Sequence, residues 1–269
     1  MKKNLLLTVA AIFGATAMYS QAYISVSGGY GFETSQKTVG KEVSAQGEVS
    51  EIKASYGAGF QTQLRGGYFF TKRLGAEIAV GYLHGEDKTT NKSSVVTMTA
   101  RGRAFGASLS AVFNVTDNIY LRAGGVTKIG GRTEAETQFS LPIPNHTVQA
   151  EVKNNFHGKI PFGFIGGLGF KFKLAEKVSF FVEGEYLNIA VPRKTSKLES
   201  FSATYNGVPI SRDAFLENMK RFSERDPRLK EVVTQLTPLL QDEFDWQDKG
   251  APDAPYSSIG VNCGLIYSF

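Results

Sequence analysis

Three observations predict an all-β fold, an eight-stranded antiparallel up-and-down transmembrane β-barrel. Eight segments alternate apolar and polar residues with a period of two. The links between them alternate between tight and long. The last segment runs to an aromatic residue, Phe269, at a position where a soluble domain usually frays. Composition agrees, because 29 glycines and 20 phenylalanines suit strands that approach closely. No apolar run reaches the roughly 18 residues of a membrane helix.

The chain opens MKKNLLLTVAAIFGATAMYSQA, with Lys2 and Lys3, an apolar run from Leu5 to about Ala15, and small residues at Ser20 and Ala22. That is the layout of a secretory signal peptide, residues 1–22, with residues 23–269 as one exported barrel domain. The net charge of +5 falls to +3 without Lys2 and Lys3, too mild an imbalance to indicate a nucleic-acid partner. The lone cysteine, Cys263, excludes an intramolecular disulfide framework.

The strands follow in order. AYISVSGGYGFE sets Ile24, Val26, Tyr30 and Phe32 against Ser25, Ser27, Gly29 and Gly31. YGAGFQTQLRGGYFF opposes Phe60, Leu64, Tyr68 and Phe70 to Gln61, Gln63, Arg65 and Gly67. In LGAEIAVGYLHGE, Ile78 and Val80 face outward and Glu77 inward; RAFGASLSAVFNV puts Phe105, Leu109 and Phe113 outward. NIYLRAGGVTKI contrasts Ile119 and Leu121 with Arg122, and PFGFIGGLGFKFKL contrasts five apolar residues with Lys171, Lys173 and glycines. KVSFFVEGEYLNI opposes Val178, Phe180, Val182 and Tyr186 to Ser179, Glu183 and Glu185. The terminal GVNCGLIYSF places Phe269, Tyr267, Leu265, Cys263 and Val261 on one face, and only Ile266 breaks the pattern.

Thr71 to Arg73, Thr116 to Asn118 and Ala175 to Lys177 are tight links, whereas the links beginning near Thr34, Asp87, Arg132 and Ala190 are long, polar and expected in water. A soluble β-sandwich would instead show mixed connection lengths and crossovers. Small polar and charged residues on one face, with an aromatic face opposite, describe an inside-out barrel, in which every backbone group is paired and lipid-facing side chains alternate with interior ones.

With these features the chain resembles the small outer-membrane β-barrels of Gram-negative bacteria, the OmpA-like transmembrane-barrel superfamily. The terminal residues Phe269, Tyr267 and Leu265, with Val261 and Ile259, match that group's carboxy-terminal strand. The resemblance implies an outer-membrane location and an assembly signal in Phe269, Tyr267 and Leu265 read by the barrel-assembly machinery. Outer-membrane lipid and lipopolysaccharide are the surroundings it implies. The peptidoglycan-binding domain of some relatives is not expected, nor a tether to the cell wall.

Eight strands enclose an interior just wide enough for side chains to fill. The inward faces contribute Arg65, Glu77, Arg122, Lys171, Lys173, Glu183 and Glu185, and buried charges persist only when paired. A charge network that closes the lumen is expected, with Arg65, Glu77 and Arg122 meeting in mid-barrel. The predicted function is structural or interactive, stabilising the envelope or presenting loops to the outside. A narrow porin-like channel for small solutes is the alternative, and a lipid-modifying enzyme a minor one. No spacing assembles a catalytic triad; His84 with Glu86 is the pair an enzyme would need, and a rim histidine is ordinarily solvated. No metal site, cofactor or phosphate loop is read; GGYGFE and GFIGGLGF lack the following Lys-Ser/Thr.

The fourth long link, residues 190–254, spans about 65 residues, far beyond an ordinary structureless loop. Two helices are predicted in it. Ser211 can cap one carrying Phe215, Leu216, Met219 and Phe222; Asp226 and Pro227 can start another carrying Leu229, Val232, Val233 and Leu236. Such stripes ordinarily pack as core. On an exposed loop, Phe215, Met219, Phe222, Leu229 and Val233 are also candidates for contact with an extracellular ligand or protein.

Overall fold

The alternating segments form strands that close on themselves in a computed structural model, which describes residues 21–34, 37–44, 48–143, 146–225, 228–247, 249 and 252–269. The predicted signal peptide lies outside the described residues up to residue 20; Gln21 and Ala22 begin the first strand. The principal strands are β1 (Gln21–Glu33), β2 (Gly59–Phe69), β3 (Leu74–Gly85), β4 (Val96–Asn114), β5 (Ile119–Ile143), β6 (His146–Gly158), β7 (Gly163–Lys173), β8 (Val178–Asn188), β9 (Arg193–Tyr205) and β10 (Ser258–Ser268).

Around the barrel the order is β1, β2, β3, β4, β5, β7, β8, β10, every pair antiparallel. The circle closes where β10 meets β1, Tyr23 opposite Ser268 and Glu33 opposite Ser258. Phe269 N–H donates to Ala22 O at 3.0 Å, so the terminal aromatic is held in the seam. At two of the three tight turns a threonine satisfies the backbone. Thr71 Oγ1 accepts from Leu74 N at 2.9 Å, and Thr116 Oγ1 from Ile119 N at 3.0 Å, as hydroxyls in short turns commonly do.

Faces divide as predicted. Ile78, Leu109, Phe164, Val261 and Leu265 stand exposed on the outer wall, where hydrocarbon rather than water solvates them. Inward, two glycines make room for rings: a Cβ on Gly67 would lie 2.2 Å from the Tyr23 ring, and one on Gly169 the same distance from Tyr120. Glycine in these strands therefore serves close side-chain approach rather than backbone freedom. Ile266, the residue that breaks the terminal alternation, turns inward against a small cluster of Val112, Tyr120 and Phe181.

The second and third long links differ from the expectation of polar loops. β4 and β5 continue past the bilayer, paired from Val96 opposite Phe139 down to Asn114 opposite Tyr120 with one bulge at Phe105 and Gly106. β6 and β9 extend this sheet. The reason is a second apolar face of small residues. Ala100, Ala135, Phe139, Val148 and Val152 all point to one side and are buried, while Thr97, Arg101, Glu134 and Lys153 point to the other. The predicted helices supply the cover: α1 (Arg212–Arg225) and α2 (Arg228–Leu239). Ser211 caps α1, its Oγ accepting from Ala214 N at 3.3 Å and its carbonyl from Phe215 N at 2.9 Å. Asp226 and Pro227 lie outside the described residues. Sheet and helices form an extracellular head whose core includes Phe215, Met219, Leu236 and Leu240.

On the solvent face of the head, Glu134 collects three arginines. Arg101 Nε donates at 2.9 Å and Arg132 Nε at 3.0 Å, and Arg103 Nε lies 3.8 Å away. Partial burial pushes the Glu134 carboxyl up, but the hydrogen bonds from Arg101 and Arg132 outweigh it and hold it below the usual carboxylate range. Its stabilisation is therefore complete above the unfolded value of about 4.3 and is lost as pH falls through the lower folded value. Amide exchange where Arg101 pairs with Glu134 is expected to accelerate, relative to barrel amides, as pH falls through that window. Glu134→Gln should abolish the step.

Candidate functional site in the barrel lumen

Parity along β2, β3, β5 and β8 aims five charged side chains at the barrel axis. All are buried: Glu183 has no exposure, and Arg65, Glu77, Arg122 and Glu185 have 4% or less. Glu183 is the hub. Arg65 grips it with two bonds, Nη1 to Oε2 at 3.0 Å and Nη2 to Oε1 at 2.9 Å, the forked geometry that suits a carboxylate. Arg122 Nε donates to both Glu183 oxygens at 3.1 Å, and its Nη2 reaches Glu183 Oε1 at 3.0 Å and also bonds Glu185. Glu77 lies 3.6 Å from Arg122 Nη1 and receives the Tyr23 hydroxyl at 2.8 Å.

The two guanidiniums face three carboxylates, and neutral donors reach further carboxylate oxygens, although Glu77 Oε1 and Arg122 Nη1 are buried without a hydrogen bond. Tyr120 OH donates to Glu183 at 2.8 Å; Gln63 Nε2 donates to both oxygens of Glu185 at 3.0 and 2.9 Å; Gln61 Nε2 reaches Glu185 at 3.3 Å and Asn262 at 2.9 Å. The Phe181 ring lies 5.3 Å from the Arg65 guanidinium carbon. Tyr23, Tyr120 and Phe181 also face the interior, which their residue type does not reveal because aromatics suit the lipid side. The adjacent pair Phe180 and Phe181, which cannot share a strand face, was the available clue.

Lys171 and Lys173 do not join this cluster. Both point inward, but their strand positions put them near the turns. Lys171 Nζ donates to Asn114 Oδ1 at 2.8 Å, and Lys173 is exposed. The structure brings Arg65 and Arg122 together over Glu183 and Glu185, with Glu77 joined through Arg122. The five loop candidates also need correction as contact residues. Phe215, Met219 and Leu229 are buried in the head core, and Phe222 and Val233 are partly buried against it. Most of the apolar surface of these five residues is thus taken up by packing within the head. At the rim, the Glu86 carboxylate bonds Tyr30 and Lys88, while His84 sits on the outer wall with its ring 6.4 Å from that of Tyr82.

Two cavities flank the network. Toward the turns lies one of about 860 Å³ that ends on Arg65 and Glu77. Toward the outside lies one of about 100 Å³ whose floor is Gln61, Gln63 and Glu185 and whose roof includes Ile189, Val191 and Tyr256. That roof is tied down by backbone: Tyr56 N donates to Pro255 O at 2.9 Å, Tyr256 N to Ile189 O at 2.9 Å, and the Tyr256 hydroxyl meets Thr133 Oγ1 at 2.7 Å. Segments of the first and fourth links thus cap the mouth.

A family model described as outer membrane protein beta-barrel domain matches residues 5–206. That span contains β1 to β9, and thus seven of the eight barrel strands. No curated protein matches. Among solved structures the chain is similar to Ail, the attachment invasion locus protein of Yersinia pestis, at 12% identity over 94% of this chain and 100% of that one, with a TM-score of 0.34. It is similar also to CarO2 of Acinetobacter baumannii, at 14% identity over 92% and 99% of the two chains, TM-score 0.34. A third is the outer membrane protein AlkL, at 10% identity over 93% and 92%, TM-score 0.33. A lipid-facing apolar wall, a polar interior and a match across most of its length together place this chain in the outer membrane protein β-barrel family.

Proposed function

We propose that this protein is a closed outer-membrane barrel that works as an envelope scaffold and presents a rigid head for surface interaction. The observation that carries the reading is the Glu183-centred network, which lies between the two lumenal cavities with each carboxylate engaged. The strapped mouth above it is a second barrier. Outer-membrane lipid and lipopolysaccharide solvate the apolar wall. The barrel-assembly machinery reads Phe269, Tyr267 and Leu265 during insertion, after export directed by residues 1–22. An extracellular ligand or protein would meet the polar faces of the head, since its apolar helix residues are spent on the core. The reading is non-enzymatic, supported at the rim by Glu86, which is committed to Tyr30 and Lys88 rather than to His84.

The two cavities on one axis favour a second reading, a narrow channel that conducts when the network rearranges. Planar-bilayer recording separates them. The purified protein is expected to give no stable conductance, and stable large steps from the unmodified barrel would overturn the closed reading in favour of the channel.

A further inference from the structure

We propose that the turn-side half of the lumen is a blind vestibule that binds a small organic anion with an apolar body, held by Lys171 and Lys173 against the surrounding rings. The cavity of about 860 Å³ is lined by Tyr23, Phe69, Tyr120 and Phe181 together with the two lysines, and its inner end is the Arg65 and Glu77 side of the charge network. A volume of this size lies within the range of about 300–1,000 Å³ usual for small-molecule sites.

The electrostatic case rests on Lys171. Its ammonium is part-buried, donates to the neutral Asn114 Oδ1 at 2.8 Å, and stands 5.7 Å from the Phe69 ring centroid and 5.5 Å from that of Tyr120. Ring faces attract a cation but do not neutralise it. Among the described residues, no carboxylate forms an ion pair within 4.0 Å with Lys171 or Lys173. Asp117, which also lines the vestibule, acts on Lys171 only from beyond that distance. Glu77 is occupied by Tyr23 and Arg122. The turn end of the vestibule therefore presents two ammonium groups without an ion-pair partner among the described residues, beside aromatic walls, while the excess carboxylate of the network lies at its inner end. Inorganic anions would use only the charge, and neutral apolar solutes only the walls. An aryl carboxylate uses both, with its carboxylate on the ammonium groups and its ring against Phe69 or Tyr120.

The test is calorimetric titration of the intact barrel in detergent with 3-phenylpropionate and with the neutral analogue 3-phenylpropan-1-ol. Neither titration depends on whether the lumen conducts, so the outcome is separable from the closed-barrel reading. The carboxylate is expected to bind at least about tenfold more tightly than the alcohol, and Lys171→Gln to erase that preference, a factor equivalent to about 1.4 kcal/mol. Lys173→Gln, at an exposed position, should weaken carboxylate binding severalfold while the strand circular dichroism is retained, and Lys171→Arg should preserve it. Equal binding of acid and alcohol, absence of carboxylate binding to the unmodified barrel, or unchanged affinity in both glutamine variants would overturn the proposal.

Discussion

Glu183→Ala is expected to lower the unfolding free energy of the barrel by about 3–5 kcal/mol, the cost of leaving a buried ion pair without one partner. The effect should lie at the upper end because one carboxylate serves two guanidiniums, Arg65 and Arg122, both almost wholly buried. Glu185 is the only other carboxylate within 4.0 Å of both among the described residues, at 3.7 Å from Arg65. Urea titration of the barrel refolded into lipid vesicles measures the loss directly. A combined Glu183→Leu, Arg65→Met, Arg122→Met variant should recover most of it, since apolar groups of similar volume remove both the attraction and the desolvation cost. If the single and combined variants are equally destabilised, packing rather than charge pairing is the hub's contribution.

Phe215→Ala should cost the head about 3–5 kcal/mol while leaving the membrane-embedded barrel intact. The Phe215 side chain is fully buried, its ring edge-on to Phe139 at 5.7 Å and tilted against Phe201 at 5.6 Å. Truncation opens a cavity where helix and sheet meet, and deletions of this size in a core have that cost. Limited trypsin digestion of vesicle-inserted protein reports it, through faster cleavage within α1 and α2 and an unchanged protected barrel fragment. Unchanged cleavage rates would show that the head is held by its backbone ladder alone.

The sequence reveals the barrel more fully than the head for a physical reason. Each membrane strand must show hydrocarbon-compatible residues on one face, so Phe60, Leu64, Ile78 and Val261 advertise the period at a glance. In the continuation of β4 the inward residues are Val96, Ala100 and Ala104 among threonines and arginines, which reads as loop until the helices some hundred positions later are placed against it. Helix existence was legible because Phe215, Met219 and Phe222 recur at helical spacing, whereas what those residues touch was not. In the lumen, parity alone identified Arg65, Glu77, Arg122, Glu183 and Glu185 as inward. Depth was less visible: Lys171 and Lys173 share that parity but lie at the turn end, and Tyr23, Tyr120 and Phe181 look lipid-facing by composition.

The hydrogen-bonded ladder of β4 and β5, interrupted only by the bulge at Phe105 and Gly106, carries the head on two strands of the barrel itself rather than on a linker. A partner approaching from outside would meet the polar sheet at a set height and tilt above the lipid, with little of the search volume that a tethered domain sweeps. Recognition by this head would then be governed by the partner's own orientation, favouring encounters with objects already lying parallel to the cell surface.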